Sequence, residues 1–364
     1  MTRIRVLIVD DSVVVRRVLT ELLQSDPDIE VAGTAATASI GIQKLGQIAP
    51  DIVLLDVEMP EMDGIEAARR MREGWPKLPI VMCSSLTERG ADITMRALAA
   101  GASDYVAKPT SLAGGGGLES FRKELVAKVR ALVGVRGASQ VFVANTPVVS
   151  AFNRGSRSAR IEIVAIGSST GGPNALATVF SALPSDLPVP IVITQHMPPL
   201  FTKILADRLT ASTQVVVKEA EEGDVLQPGR AYIAPGNFHM KLVRDGTNVA
   251  LTLDQDPPEN SCRPAVDVMF RSVARAFGPG ALGIVLTGMG SDGARGAAHI
   301  VEAGGSVFVQ DAASCVVASM PRSVVQLGMA DAELPIERVG QEIVRRVSRQ
   351  GFAAFAVPKV EGWK

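Results

Sequence analysis

The sequence predicts an α/β protein of two doubly wound domains: an N-terminal (βα)5 domain, then a larger, mostly parallel α/β domain with a β-hairpin insertion. Three observations predict it. The chain has 364 residues, which leaves room for two domains at about 150 residues each. Short uninterrupted apolar runs alternate along it with amphipathic stretches, the pattern of parallel strands covered by helices on both faces. The composition is 47% hydrophobic but only 4% aromatic, as expected where aliphatic strands supply the core.

In chain order, Val6–Val9, Ile52–Leu55, Ile80–Met82 and Tyr105–Ala107 read as strands, with a weaker one over Glu30–Thr34. Pro60, Gly64, Pro76, Pro79, Gly101 and Pro109 fall between elements and punctuate five βα units. The glycine run Gly114–Gly117 makes a flexible entry to a helix over Leu118–Val133. Residues 131–160 break the rhythm with glycines, Pro147, several Ser and Asn, and four arginines unaccompanied by any acid. They read as a linker between a domain at 3–130 and one at 161–350. The second domain opens with a strand, Ile161–Ile166, that runs into a glycine-rich turn and a helix over Asn174–Leu183. Further strands are expected at Ile191–Thr194, Arg230–Ala234, Ile284–Thr287 and Val307–Gln310. Met240–Val243 and Val249–Leu253 flank an Asp245-Gly246 pair, a hairpin signal.

Composition excludes several classes. Mean hydropathy is +0.23, yet no stretch reaches the roughly 18 uninterrupted apolar residues of a membrane span, so no membrane insertion is expected. The N-terminal residues lack a signal-peptide pattern, which makes a cytoplasmic location the expectation. Cys83, Cys262 and Cys315 are widely spaced, with no C-x-x-C, and read as reduced thiols rather than a disulfide framework or a zinc site. His196, His239 and His299 show no ligand spacing, which argues against a histidine metal centre. The net charge of −1 divides as −2, +4 and −3 over the first domain, linker and second domain. This pattern speaks against nucleic acid as a partner.

Two constellations carry chemistry. In the first domain Asp10 and Asp11 end the first strand, Asp56 the third and Ser84 the fourth, while Lys108 follows the fifth. In an open parallel sheet these ends share one rim. Carboxylates crowded there call for a divalent cation with hard oxygen ligands, which suits Mg²⁺. Asp56 is the natural acceptor of a phosphoryl group as an acyl phosphate. Lys108 would pair with the phosphoryl oxygens and the Ser84 hydroxyl would swing toward them. The stretches Ile8-Val9-Asp10-Asp11-Ser12, Leu54-Leu55-Asp56 through Gly64, and Ala107-Lys108-Pro109 closely resemble two-component receiver domains. That resemblance implies a (βα)5, flavodoxin-like fold and phosphorylation of Asp56 by a sensor histidine kinase. It also implies Mg²⁺ beside Asp10, Asp11 and Asp56, with the Glu58 backbone carbonyl as a further ligand, and Ser84 and Tyr105 as positions that report phosphorylation.

In the second domain Gly167-Ser168-Ser169-Thr170-Gly171 fits G-x-S-x-G between a strand and a helix, where a sharp turn exposes a nucleophilic serine. Pro173 suits the first helical turn, and backbone N–H groups there can stabilise an oxyanion. His196 follows another strand and is the best-placed base, since His299 falls in a helix and His239 near the hairpin. Asp292, in the glycine-rich loop after a buried strand, is the acid that would orient the imidazole. The competing readings are a phosphate cradle for the glycine turns and Ser168 as nucleophile. Ile166 through Pro173, Gln195-His196-Met197-Pro198, Ile233 through Gly236 with His239-Met240, and Thr287 through Gly293 resemble the chemotaxis protein-glutamate methylesterases. The resemblance maps their catalytic triad to Ser169, His196 and Asp292 and places Met289 near the oxyanion hole, for which Thr170 at the helix start is the other candidate. It implies a phosphorylation-regulated hydrolase that demethylates glutamate methyl esters on chemoreceptors and deamidates receptor glutamines, with no cofactor for the esterase. The alternatives are a phospho-gated binding module and, disfavoured by the acidic second domain, a DNA-binding regulator.

Overall fold

The computed structural model describes residues 3–109, 116–138, 159–246 and 248–348. The first domain runs β1 (Ile4–Val9), α1 (Val13–Gln24), β2 (Ile29–Ala35), α2 (Ala38–Ile48), β3 (Ile52–Asp56), α3 (Gly64–Gly74), β4 (Ile80–Ser84), α4 (Glu88–Ala99), β5 (Asp104–Ala107) and α5 (Gly116–Ala138). The sheet is parallel throughout in the order β2-β1-β3-β4-β5. Each helix start has a chemical reason: Ser12, Thr37, Asp63 and Thr87 accept from backbone N–H groups of the first turns of α1 to α4. α5 continues to Ala138, past the start of the expected linker; most of 131–160 lies outside the described residues.

The second domain runs β6 (Ile163–Ser168), α6 (Gly172–Ser181), β7 (Ile191–Gln195), α7 (Phe201–Ser212), β8 (Val216–Glu219), β9 (Arg230–Ile233), β10 (His239–Asp245), β11 (Asn248–Asp254) and α8 (Val266–Phe277). It continues with β12 (Ala281–Val285), α9 (Ala294–Glu302), β13 (Ser306–Gln310), α10 (Ser319–Gln326), β14 (Ala332–Leu334) and α11 (Ile336–Ser348). Seven strands form one sheet in the order β14-β13-β12-β6-β7-β9-β8, and every pairing in it is parallel. β10 and β11 form the expected antiparallel hairpin apart from it. One core lies under α6, α7 and α11, and another lies under α8, α9 and the hairpin.

Two differences from the sequence reading have physical causes. The strand expected at Ile284–Thr287 begins earlier and ends earlier, as β12; Gly283 interrupts its apolar run because Ile300 and Phe270 pack where a side chain would stand. β8 and β14 were not foreseen: each is a short edge strand, β8 starting within the three-residue run Val215–Val217 and β14 reading Ala332-Glu333-Leu334, with no two apolar residues adjacent.

The two domains are in contact. Asn174 Nδ2 in α6 donates to the carbonyls of Leu98 (3.0 Å) and Ala102 (3.4 Å), and Arg208 Nη1 in α7 donates to Met95 O at 2.9 Å. Tyr105 at β5 stacks on Phe201 at the start of α7, with centroids 4.7 Å apart.

Candidate active site

In the seven-stranded sheet, chain order reverses between β6 and β12, and ligands bind outside the carboxyl ends of the strands at such a point. Ser169 follows β6, His196 follows β7, and the loop with Asp292 follows β12. Parallel register therefore brings residues far apart in sequence to one rim.

The turn after β6 gives the two serines different surroundings. Ser168 is fully buried, and its hydroxyl donates to Gln195 Oε1 at 2.7 Å. Ser169 is half-buried, and among the described residues its hydroxyl has no hydrogen-bond partner. Its backbone is fixed instead: Ser169 N–H donates to Thr287 O (3.0 Å), and Ser169 O accepts from Gly172 N–H (2.7 Å) and Gln195 Nε2 (2.9 Å). Gly171 takes φ +76°, and a Cβ there would meet Val316 at 2.6 Å. A Cβ on Gly288 would meet Ser169 Cβ at 2.8 Å, so only glycine lets the β12 loop come this close. Among the described residues the backbone N–H groups of Thr170 and Met289 have no acceptor. The Met289 side chain packs against the apolar cluster in which Val317 joins the first domain's core.

His196 Nε2 lies 2.8 Å from Asp292 Oδ2, and Nδ1 lies 3.5 Å from the Cys262 thiol. Asp292 is nearly fully buried and heavily bonded. Val266 N–H donates to its Oδ2, while Asp267 N–H, Gly293 N–H and Asn260 Nδ2 donate to its Oδ1. Burial opposes its charge, but the His196 and backbone hydrogen bonds outweigh burial and lower its pKa. Burial likewise opposes the His196 imidazolium; the Asp292 hydrogen bond and the neighbouring thiol outweigh it and push the imidazole up to about 10. An imidazole must be neutral to accept a proton. The acid limb of the kcat/KM–pH profile is therefore expected above the usual imidazole value of about 6.5. Turnover should still be climbing between pH 7 and 9, after subtraction of the Ser169→Ala rate; a plateau by pH 7.5 would contradict this.

The other histidines are structurally engaged. His239 is buried between Pro257 O (3.2 Å) and the Ala265 N–H (3.2 Å), and His299 pairs with Glu302 on α9. Asn260, Cys262, Asp267 and Gln195 were missed as site neighbours. The polar run Asn260-Ser261-Cys262-Arg263 before Pro264 was the only signal available for the first two. Ligand atoms of His196, Cys262 and Asp292 lie within 4.8 Å of one another, a grouping that the spacing of these residues along the chain does not show. Ligand spacing along the chain cannot reveal a cluster assembled from three separate loops.

At the first domain's rim, carboxylate oxygens of Asp10, Asp11 and Asp56 lie within 4.8 Å of one another. Lys108 Nζ bridges Asp10 (2.8 Å) and Asp56 (2.6 Å). Burial pushes the Asp56 carboxyl up to about 6 against the pull of Lys108. Burial disfavours the Lys108 ammonium too, but the Asp56 and Asp10 charges raise its pKa. The asymmetry follows from one ammonium shared between two buried carboxylates. This all-oxygen donor set fits Mg²⁺, whose charge would offset the crowding. Because Asp56 must lose its proton to act as a ligand, Mg²⁺ affinity is expected to fall about tenfold between pH 7 and pH 5; calorimetry showing equal affinities would contradict it. The Glu58 carboxylate stands apart, paired with Arg89 at 3.0 Å. The Ser84 hydroxyl is buried and points away from the acids, donating to Gly90 O at 3.0 Å. Tyr105 is buried against Phe201 of the second domain.

Known proteins share both halves. Residues 164–343 match the family model described as CheB methylesterase, and residues 6–114 that of the response regulator receiver domain. The protein-glutamate methylesterase/protein-glutamine glutaminase of Trichodesmium erythraeum is 46% identical over 352 residues, covering 95% of this chain and 100% of its own. One from a Nocardioides species is 49% identical over 356 residues, covering 96% and 97%. The crystal structure of the Thermotoga maritima CheB methylesterase catalytic domain is similar with a TM-score of 0.50 and 43% identity. That similarity covers 51% of this chain and 99% of that one.

Proposed function

Because the chain belongs to the protein-glutamate methylesterase/protein-glutamine glutaminase family, we propose that Ser169, His196 and Asp292 carry out its hydrolysis and that Asp56 controls it. The protein is a receiver-regulated hydrolase that acts on glutamate methyl esters and glutamines of chemoreceptors. The observation that carries the residue assignment is the His196–Asp292 bond on the rim that Ser169 shares, where among the described residues the Ser169 hydroxyl has no hydrogen-bond partner while Ser168 is committed to Gln195.

Asp292 Oδ2 accepts a hydrogen bond from Nε2–H, which fixes the tautomer and leaves Nδ1 as the basic nitrogen. Ser169 Oγ attacks the γ-carbonyl of the ester and gives its proton to Nδ1. The developing oxyanion receives the N–H groups of Thr170 and Met289. The imidazolium then protonates departing methanol, leaving a γ-glutamyl ester on Ser169. Water activated by His196 hydrolyses that ester. A glutamine follows the same path with ammonia as leaving group.

At the receiver, Asp10, Asp11, Asp56 and the Glu58 carbonyl would hold Mg²⁺, which neutralises charge as a phosphoryl group reaches Asp56 from a sensor kinase. Lys108 would exchange Asp56 for phosphoryl oxygens, and Ser84 would turn from Gly90 toward them. The β5 end leads directly to the domain contact through Tyr105 and Phe201, and Met289, Val316 and Val317 of the catalytic rim pack with the receiver core. Docking therefore holds the rim, and phosphorylation releases it. Methanol release from methylated receptor membranes is expected to rise on addition of a phosphodonor; equal rates would refute the control. Asn174→Ala removes two hydrogen bonds to the receiver, worth about 1–2 kcal/mol together. The variant is expected to raise the rate without phosphodonor about fivefold; an unchanged rate would show that this contact does not restrain the enzyme.

A further inference from the structure

We propose that His196 and Cys262 form a zinc-binding site, and that zinc held there switches the hydrolase off by occupying its basic nitrogen. The inhibitory half rests on His196 as catalytic base; the metal site does not.

The geometry is that of two ligands on one tetrahedral ion. Zinc–nitrogen and zinc–sulfur bonds of about 2.0–2.1 and 2.3 Å at a tetrahedral angle place the two ligand atoms roughly 3.5 Å apart. The His196 Nδ1 to Cys262 Sγ separation is 3.5 Å. Asp292 holds the opposite ring nitrogen at 2.8 Å. That is the carboxylate–histidine arrangement which orients a metal-binding imidazole and raises its basicity.

The cysteine is held in place by its loop. Asn260 and Ser261 adopt φ +52° and +63°, a conformation that non-glycine residues take only when surroundings impose it. The Asn260 amide is fixed by Asp267 (2.9 Å) and Asp292 (2.8 Å), and Cys262 exchanges backbone hydrogen bonds with Glu259. Cys262 is partly exposed, whereas Cys83 and Cys315 are buried and burial pushes each of those thiols up to about 12.

Donor chemistry selects the ion. An imidazole nitrogen with a thiolate sulfur prefers zinc, while the all-oxygen set of Asp10, Asp11 and Asp56 prefers Mg²⁺. On binding, the N–H bond at Nδ1 of the His196 imidazolium and the S–H bond of Cys262 break, both protons pass to solvent, and the freed nitrogen and sulfur lone pairs form the zinc–nitrogen and zinc–sulfur bonds, while Nε2 keeps its proton toward Asp292; nothing is oxidised or reduced. Water fills the remaining positions.

The test uses the metal-free full-length chain in excess Mg²⁺, which occupies the acidic rim. Titration with Co²⁺ is expected to produce thiolate-to-cobalt charge-transfer absorption that Zn²⁺ abolishes and that Cys262→Ala and Cys262→Ser lack. Zinc is expected to inhibit methanol release from methylated receptors, and Cys262→Ala should raise the half-inhibiting concentration about tenfold or more. No charge-transfer band in the unsubstituted protein, or a band that survives both substitutions, overturns the site. A band without inhibition overturns the switch. The band is read without substrate, so a metal-free protein that binds cobalt through sulfur but hydrolyses no ester counts against the catalytic reading alone.

Discussion

Ser169→Ala is expected to lower methanol release about 10⁵-fold, while circular dichroism remains that of the parent, because loss of the nucleophile in a serine hydrolase typically removes nearly all of the triad's contribution. Release of ammonia from receptor glutamines should fall in parallel, since both reactions pass through the same acyl-serine. The contrast with Ser168 makes the test sharp. Ser168 lies one residue away, but its buried hydroxyl already donates to Gln195, and Gln195 also holds the Ser169 carbonyl. Ser168→Ala therefore removes a buried hydrogen bond of about 1 kcal/mol and is expected to lower stability while retaining turnover. A serine-reactive probe should label Ser169 in the parent protein. Turnover that survives Ser169→Ala, or labelling found at Ser168 by mass spectrometry, would refute the assignment.

Asp292→Asn is expected to cost about 10⁴-fold in kcat, the scale seen when a triad acid becomes an amide and the imidazole tautomer is no longer fixed. This site adds a second penalty. Both oxygens of Asp292 accept hydrogen bonds from backbone N–H groups, and Oδ2 also faces His196. An amide NH₂ at either position points a donor at donors. A lower thermal midpoint should accompany the lost activity. The pH profile separates the two effects. Asp292 holds the His196 pKa up, so the residual activity of the variant should show its acid limb at lower pH than the parent's. An unchanged acid limb would mean that Asp292 does not set the charge of His196.

Local sequence made several parts of this site legible. Asp56, Lys108 and Ser169 each stand at the end of an apolar strand followed by turn residues, and the strand-then-turn pattern places such residues on one rim once the sheet is parallel. The hairpin was legible for the same reason, since Asp245-Gly246 carries its turn chemistry within two residues. β14 was not, because an edge strand is held by the hydrogen bonds of its neighbour and needs no apolar run of its own; β8 was missed although Val215–Val217 stands at its start. The start of β12 was hidden because Gly283 is required by Ile300 and Phe270, which are distant in sequence.

By itself, then, the sequence determined two α/β domains, strand ends that carry Asp10, Asp11, Asp56 and Lys108, and a glycine-rich turn that carries two serines, because each depends on a strand-then-turn pattern only a few residues long. Tertiary structure alone decided which of two adjacent serine hydroxyls is unbonded among the described residues, that Nε2 of His196 faces the acid, and that Cys262 lies against Nδ1. It alone seated Tyr105 on Phe201 and Asn174 on the receiver's carbonyls. Those facts depend on side chains from separate strands and loops meeting at 3 to 5 Å. Such meetings are set by sheet order and domain docking, which no local periodicity encodes.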